Sequence, residues 1–168
     1  EIFPWENVKK MAALGLFGVP VAEEYGGGGG DAIHVAIATE EIARACASTS
    51  AIYLASVSLA GYPLYTYGTD AQKRRFVTPM ANGKKLACFA LTEPSAGSDA
   101  AGVQTTASRQ GDYYVLDGNK IFITNGGEAD IAVVFATVDR AKRHKGIVAL
   151  VVEKDTPGFP VGKQERKL

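Results

Sequence analysis

The sequence predicts an α+β chain: an all-α N-terminal part, then a small antiparallel β-sheet or barrel. Up to Gly83 the apolar residues recur at helical spacing, and beyond it they alternate with a period of two. Capping and stop residues bound the helical segments, and turn dipeptides punctuate the alternating ones. The 168 residues suffice for one good core or two small ones. The expected domains are 1–83, helical, and 84–168, β.

The first helix opens at Pro4, which suits an initial helical turn. Trp5, Val8, Ala12 and Leu16 share one face, and Gly15 and Gly18 stop it. Gly26 to Gly30 lacks the Lys-Ser/Thr of a phosphate-binding loop and has helices on both sides, so a flexible connector is expected. Ile33–Ala47 and Ala51–Ala60 are Ala-rich and apolar on most sides, as in helices buried between neighbours. Thr69-Asp-Ala-Gln72 is a capping box opening a short fourth helix that carries Phe76, and Asn82-Gly83 closes it.

Six strands are expected next: Leu86–Thr92, Val103–Ser108, Tyr113–Leu116, Lys120–Thr124, Ile131–Val138 and Ile147–Val152. Asp117-Gly118 signals a two-residue hairpin. The chain begins in mid-pattern at Glu1 and ends one step into a polar segment, Lys163 to Leu168. A piece of a longer protein is expected from that.

Eighteen basic residues balance eighteen acidic ones, so no net field favours nucleic acid or an anionic membrane. The basic run Arg140 to Lys145 holds no aromatic residue to stack on bases and reads as a solvated turn. No segment reaches 18 apolar residues, and there is no charged-then-apolar leader. Cys46 and Cys88 sit in apolar surroundings, which predicts buried reduced thiols in a cytosol-like compartment. No Cys or His spacing suits zinc, and His34 and His144 have no assignable role.

Two segments could carry chemistry. Phe89-Ala-Leu-Thr-Glu-Pro-Ser-Ala-Gly-Ser-Asp99 is a strand running into a small-residue loop. A period of two puts Ala90 and Thr92 on one strand face, Phe89 and Leu91 on the other. Backbone N–H groups around Gly97, with the Ser98 hydroxyl, could hold a phosphate or a polar ring edge; a plain turn is the alternative. In Lys120–Asn125, Phe122 and Thr124 share a face opposite Ile121 and Ile123. That pair could flank a planar ring or be ordinary cross-strand neighbours. Glu93 reads as a loop carboxylate bonded to local N–H groups, with a general base as the alternative. Glu40 and Glu41 diverge around a helix and do not form an acid/base pair.

Phe3-Pro-Trp-Glu-Asn7, Gly15-Leu-Phe-Gly-Val-Pro20, Glu23-Glu-Tyr-Gly-Gly27, Glu40-Glu-Ile-Ala-Arg44 and Tyr67-Gly-Thr-Asp-Ala-Gln-Lys73 resemble the N-terminal domain of acyl-CoA dehydrogenases. Leu91-Thr-Glu-Pro-Ser-Ala-Gly-Ser-Asp99 is similar to the family's first signature. Asn119-Lys-Ile-Phe-Ile-Thr-Asn-Gly126 is similar to its second flavin segment, with Phe122 where many members have Trp. The resemblance is strongest to short-chain, butyryl-CoA-type bacterial members.

The resemblance implies an FAD-dependent oxidoreductase that desaturates an acyl-CoA thioester between its α and β carbons, as in fatty acid β-oxidation. Phe89, Leu91, Thr92, Gly97 and Ser98 would line the flavin. Phe122, Ile123 and Thr124 would cover its other polar edge, and Ser98 would also touch the CoA part of the substrate. Tyr53-Leu-Ala-Ser-Val-Ser-Leu59 resembles a wall of the acyl pocket, with plain helix packing as the alternative. The catalytic base would be a Glu of a C-terminal four-helix domain that this chain lacks, so a fragment without turnover is expected. Implied partners are acyl-CoA, an electron-transfer flavoprotein as acceptor, and further copies in a tetramer; the implied location is the bacterial cytoplasm. A flavin oxygenase relative and a non-catalytic binding module remain the alternatives.

Overall fold

The computed structural model describes residues 2–164; the end of the polar tail, 165–168, lies outside the described residues. Helix α1 (Trp5–Ala13) buries Val8 and Met11, with Ala12 and Leu16 half-buried beside them. Trp5, expected on that face, is exposed and packs on Phe3 with ring centroids 5.0 Å apart. Gly15 ends the helix at φ +71°, a left-handed conformation that favours glycine.

The Gly26–Gly30 segment is not a flexible connector. Gly28, Gly29 and Gly30 donate backbone hydrogen bonds to Gly18, Val21 and Val19. A Cβ on Gly27 would lie 2.0 Å from the Val21 carbonyl oxygen. The glycines allow two chain segments to lie in contact.

Helix α2 (Ala32–Ala45) starts at Asp31, whose carboxylate accepts from the backbone of Ile33 and His34. It was expected to be buried between neighbours, yet none of its residues is fully buried, and Ile33 and Ile37 are 67% and 57% exposed. Only the edge carrying Val35, Ala38 and Ile42 packs on the core. Cys46, also expected to be buried, is exposed at the corner where α2 gives way to α3 (Ala47–Leu54).

A π-helical stretch, Ala55–Gly61, joins α3 to α4 (Tyr62–Tyr67), so this run is longer than the expected Ala51–Ala60. The last helical run opens with the expected capping box. It comprises α5 (Asp70–Gln72), a π-helical stretch Lys73–Val77 and α6 (Thr78–Ala81). Pro63 and Pro79 follow the two π stretches. Their missing N–H groups interrupt the regular helical ladder.

The sheet has five strands: β1 (Ala87–Ala90), β2 (Thr106–Gln110), β3 (Tyr113–Asp117), β4 (Ile131–Thr137) and β5 (Ile147–Glu153). It is mixed rather than antiparallel. β4 runs antiparallel to β5 along its whole length, from Ile131↔Glu153 to Thr137↔Ile147. Its other edge takes β1 in parallel, Ala87↔Ile131 to Ala90↔Val134, and then β2 in parallel at Thr106↔Thr137. The β2–β3 hairpin interrupts the path from β1 to β4, which lets those strands run the same way. That hairpin turns at Gly111-Asp112, between the paired Gln110 and Tyr113. Asp117-Gly118 closes no hairpin; Gly118 lies against Thr105, whose Cα a Cβ there would meet at 2.6 Å.

Both faces of the sheet centre are covered. Ala87, Ile131 and Val133, with half-buried Phe89 and Phe135, pack on Ala60, Leu64, Phe76, Val77 and Met80 of the helical layer. Cys88, Ala90, Ala132, Val134 and Val152 form the opposite face with Ala129 and half-buried Ile123. Burial pushes the Cys88 thiol up to about 11, as expected for an inert reduced cysteine. The near-continuous apolar strands β1 and β4 reflect this two-sided burial.

Candidate functional site

β1 leads directly into the first candidate segment. After Ala90 the chain leaves the ladder, and Glu93 and Ala96 exchange backbone hydrogen bonds of 2.9 and 3.2 Å across a tight turn. Leu91 and Thr92 are half-buried before this turn, and Gly97 and Ser98 are exposed after it. A Cβ on Gly97 would meet nothing within 4 Å. No hydrogen bond among the described residues occupies the backbone N–H of Gly97 or Ser98. Asp99 then accepts from Arg143 Nη at 2.9 Å, so the basic 140–146 turn braces the loop.

The second segment, Lys120–Thr124, is not a strand. Phe122 has φ +56° and Asn125 φ +67°, which takes the backbone out of the extended region. The expected division of faces nevertheless holds. Phe122, at 70%, and Thr124 are exposed, while Ile121 and Ile123 are half-buried. Asn125 sits beneath them, buried, and its amide donates to the carbonyls of Ile52 at 3.0 Å and Ala87 at 3.2 Å.

The structure brings the two segments together. The Ile121 backbone N–H donates to the Thr92 carbonyl at 2.9 Å. Lys120 Nζ donates to the Leu91 carbonyl at 3.0 Å and to Glu93 Oε1 at 2.7 Å. Leu91, Thr92, Phe122, Ile123 and Thr124 therefore belong to one edge of the sheet. Phe89 stands apart from them: its ring faces the helical layer, 4.7 Å from Phe135 between centroids.

Glu93 is 4% exposed and is the only buried carboxylate among the described residues. Burial pushes its pKa up, but donors outweigh it and hold the group at about 2. These are the Lys120 ammonium, the Thr105 hydroxyl, and the backbone N–H groups of Gln104, at 2.6 Å, and Thr105, at 2.9 Å. Burial in turn pulls the Lys120 ammonium below its usual range. The two remain an ion pair at neutral pH, because the carboxylate is ionised and every donor points at it. A carboxylate fixed this low is a poor proton acceptor, so the local-bonding reading of Glu93 holds and the general-base alternative does not.

Sequence reasoning missed Lys120 and Asn125. The available signal was a lysine at the head of an apolar run, facing a Glu at a strand's end. The Tyr53–Leu59 segment divides: Tyr53 is fully buried, Leu59 is exposed, and Leu54, Ser56, Val57 and Ser58 border a cavity of about 670 Å³. That cavity lies between α2 and the α3–α4 run, and none of its lining comes from the two candidate segments. Among the described residues no helix is long and apolar enough to cross a membrane, and no cluster of three or more His, Cys, Asp or Glu could hold a metal ion.

Comparison with known proteins shows which family the whole chain resembles. Residues 1–84 match the family model described as acyl-CoA dehydrogenase, N-terminal domain, and residues 88–168 match the middle-domain model. The short-chain-specific acyl-CoA dehydrogenase of Clostridium acetobutylicum is 48% identical over 168 residues, covering all of this chain and 44% of that protein. The butyryl-CoA dehydrogenase structure of Megasphaera elsdenii superposes with a TM-score of 0.94 at 45% identity, covering 99% of this chain and 44% of that one. A chain in a structure described as the electron transferring flavoprotein of Acidaminococcus fermentans gives 0.96 at 45% identity, with coverage of 99% and 44%. The chain thus spans less than half the length of these relatives. On both family models and on identities near one half, it belongs to the acyl-CoA dehydrogenase family.

Proposed function

We infer that this chain forms the FAD-facing part of a short-chain acyl-CoA dehydrogenase. The observation that carries this is the hydrogen-bonded junction of Leu91–Thr92 with Lys120–Ile121. It sets hydroxyl groups and an exposed aromatic ring along one edge, with the open Gly97-Ser98 backbone beyond.

The residues fit the cofactor. Thr92 and Thr124 offer hydroxyls to the polar atoms of a flavin ring, and Phe122 offers an apolar face. Gly97 and Ser98 offer uncrowded N–H groups and a hydroxyl to the pyrophosphate, with Ser98 also reaching the CoA part of the substrate. Leu91 and Ile123 offer apolar side chains beside them, and Phe89, turned to the helical layer, lies outside this edge. When bound, FAD supplies the hydride acceptor for α,β-desaturation of the thioester. The chain's own residues orient the ring and shield it from water on one side. Glu93, held at about 2 by its donors, is a poor acceptor for the α-proton, so this reading implies a base in another part of the natural protein. An electron-transfer flavoprotein is the acceptor this reading implies, and a homo-oligomer the implied assembly.

The test uses the natural gene product that carries this chain. It should bind FAD and be bleached by butyryl-CoA. Thr92→Val and Thr124→Val should each weaken FAD binding by about fivefold, the worth of one ordinary hydrogen bond. FAD binding unchanged in both variants would sink the assignment of this edge.

A further inference from the structure

We propose that Lys120 and Glu93 are positioning residues: their buried ion pair sets the two cofactor-facing segments at one fixed separation. This rests on the flavin reading above and extends it to residues that need not touch the cofactor.

The pair sits where the segments meet. Lys120 Nζ reaches across the junction to the Leu91 carbonyl and the Glu93 carboxylate, at 3.0 and 2.7 Å. Leu91 and Glu93 flank Thr92, so one ammonium holds the Leu91 backbone on one side of that residue and the Glu93 side chain on the other. Lys120 itself precedes Ile121–Thr124, so the same group places the second segment.

Glu93 extends the anchor to a third segment, Gln104-Thr105, which leads into β2. Its Oε2 accepts from Gln104 N and its Oε1 from Thr105 N. The Thr105 carbonyl in turn accepts from Thr137 N at 2.8 Å, at the end of β4. The loop is therefore tied through one carboxylate to the sheet centre. Lys120 has 11% and Glu93 3% of its side-chain surface exposed, so water does not compete for these bonds. A buried pair is weak evidence for stability by itself, since desolvation offsets the attraction. Its geometry is what a positioning device needs.

Two variants separate positioning from stability. Lys120→Met keeps the length of the side chain but leaves Glu93 charged, buried and short of a partner. The double variant Glu93→Gln/Lys120→Met removes that stranded charge but still leaves the Leu91 carbonyl without its donor. FAD dissociation constants and urea midpoints are measured on the natural gene product carrying this chain. Lys120→Met should lose stability and bind FAD about tenfold more weakly, in line with loss of a bond from a charged donor. The double variant should recover much of the urea midpoint while FAD binding stays about tenfold weak. A merely structural pair would recover both together, and that result overturns the proposal, as does unchanged FAD affinity in the variants. If Lys120→Met does not fold, the double variant decides by the same criterion. If the unsubstituted protein binds no FAD, the flavin reading itself falls, an outcome distinct from a loss confined to the variants.

Discussion

The Asn125 side-chain amide donates to the Ile52 carbonyl at 3.0 Å, joining the candidate edge to helix α3. The same amide donates to Ala87 of β1 at 3.2 Å. Asn125 also adopts φ +67°, which Asn tolerates better than most residues. Asn125→Ala removes both bonds and strains the backbone, and should cost about 3 kcal/mol. Asn125→Gly removes the bonds without the strain but adds freedom to the unfolded chain, and should cost about 0.5 kcal/mol less. Urea unfolding of both variants checks the difference; equal losses would show that the left-handed backbone costs no more than that added freedom.

Gly27 and Gly29 make a second contrast. A Cβ on Gly27 would meet the Val21 backbone, whereas Gly29 has open space and only a positive φ of +66°. Gly27→Ala should cost about 3 kcal/mol by forcing packed backbones apart. Gly29→Ala should cost about 1 kcal/mol from its conformation alone. Thermal unfolding compares them directly. Two small, equal losses would return the segment to the status of a loose connector.

Tyr53 is fully buried against Phe17, and its hydroxyl has no hydrogen-bond partner among the described residues. Burial alone pushes its pKa up to about 12. Desolvating a hydroxyl without compensation costs free energy. Tyr53→Phe should therefore keep the packing and raise stability by about 1 kcal/mol. A lower melting temperature in this variant would mean that the hydroxyl is bonded in solution.

Much of the organisation was legible because it depends on local pattern. The change of period at Gly83, the Thr69 capping box and the apolar runs of β1, β4 and β5 are each set by residues only a few positions apart in the chain. The same holds for the inward Ile121 and Ile123 beside the outward Phe122 and Thr124. What was missed depends on distant partners. The parallel pairing of β1 with β4 joins residues separated by the whole β2–β3 hairpin. The Glu93–Lys120 pair and the Asn125–Ile52 bond span 27 and 73 residues. Helix α2 misled because its alanines and isoleucines state what could be buried, not what covers it. Lys120–Thr124 misled because β-branched residues favour strands, while Phe122 and Asn125 turn the chain left-handed to bring it back over Thr92.

Glu93 also predicts an acid limb of stability. Its folded pKa, about 2, is depressed from 4.5. The stabilisation is therefore complete above the unfolded value and is lost as pH falls from about 4.5 towards 2. Burial of the Lys120 ammonium offsets part of it, leaving a net contribution on the order of 2 kcal/mol. Glu93→Gln should be less stable at pH 7 and should show a flatter decline between these limits. Urea midpoints at several pH values from 7 to about 3 test this. Parallel acid limbs in the two proteins would place the titrating group elsewhere.

Phe122 separates the demands of folding from those of the site. At φ +56° and 70% exposure it holds a conformation costly for a bulky residue, with most of its ring in solvent. Phe122→Gly relieves the strain but adds freedom to the unfolded chain, two effects of about 1 kcal/mol that oppose each other. The melting temperature should therefore change little. If the ring covers FAD, its loss removes about 1 kcal/mol of aromatic contact and weakens cofactor binding about fivefold. A second variant, Phe122→Trp, keeps the aromatic face and should bind FAD as the unsubstituted protein does. Unchanged FAD affinity in the glycine variant would remove Phe122 from the site and leave its strained backbone without a functional reason.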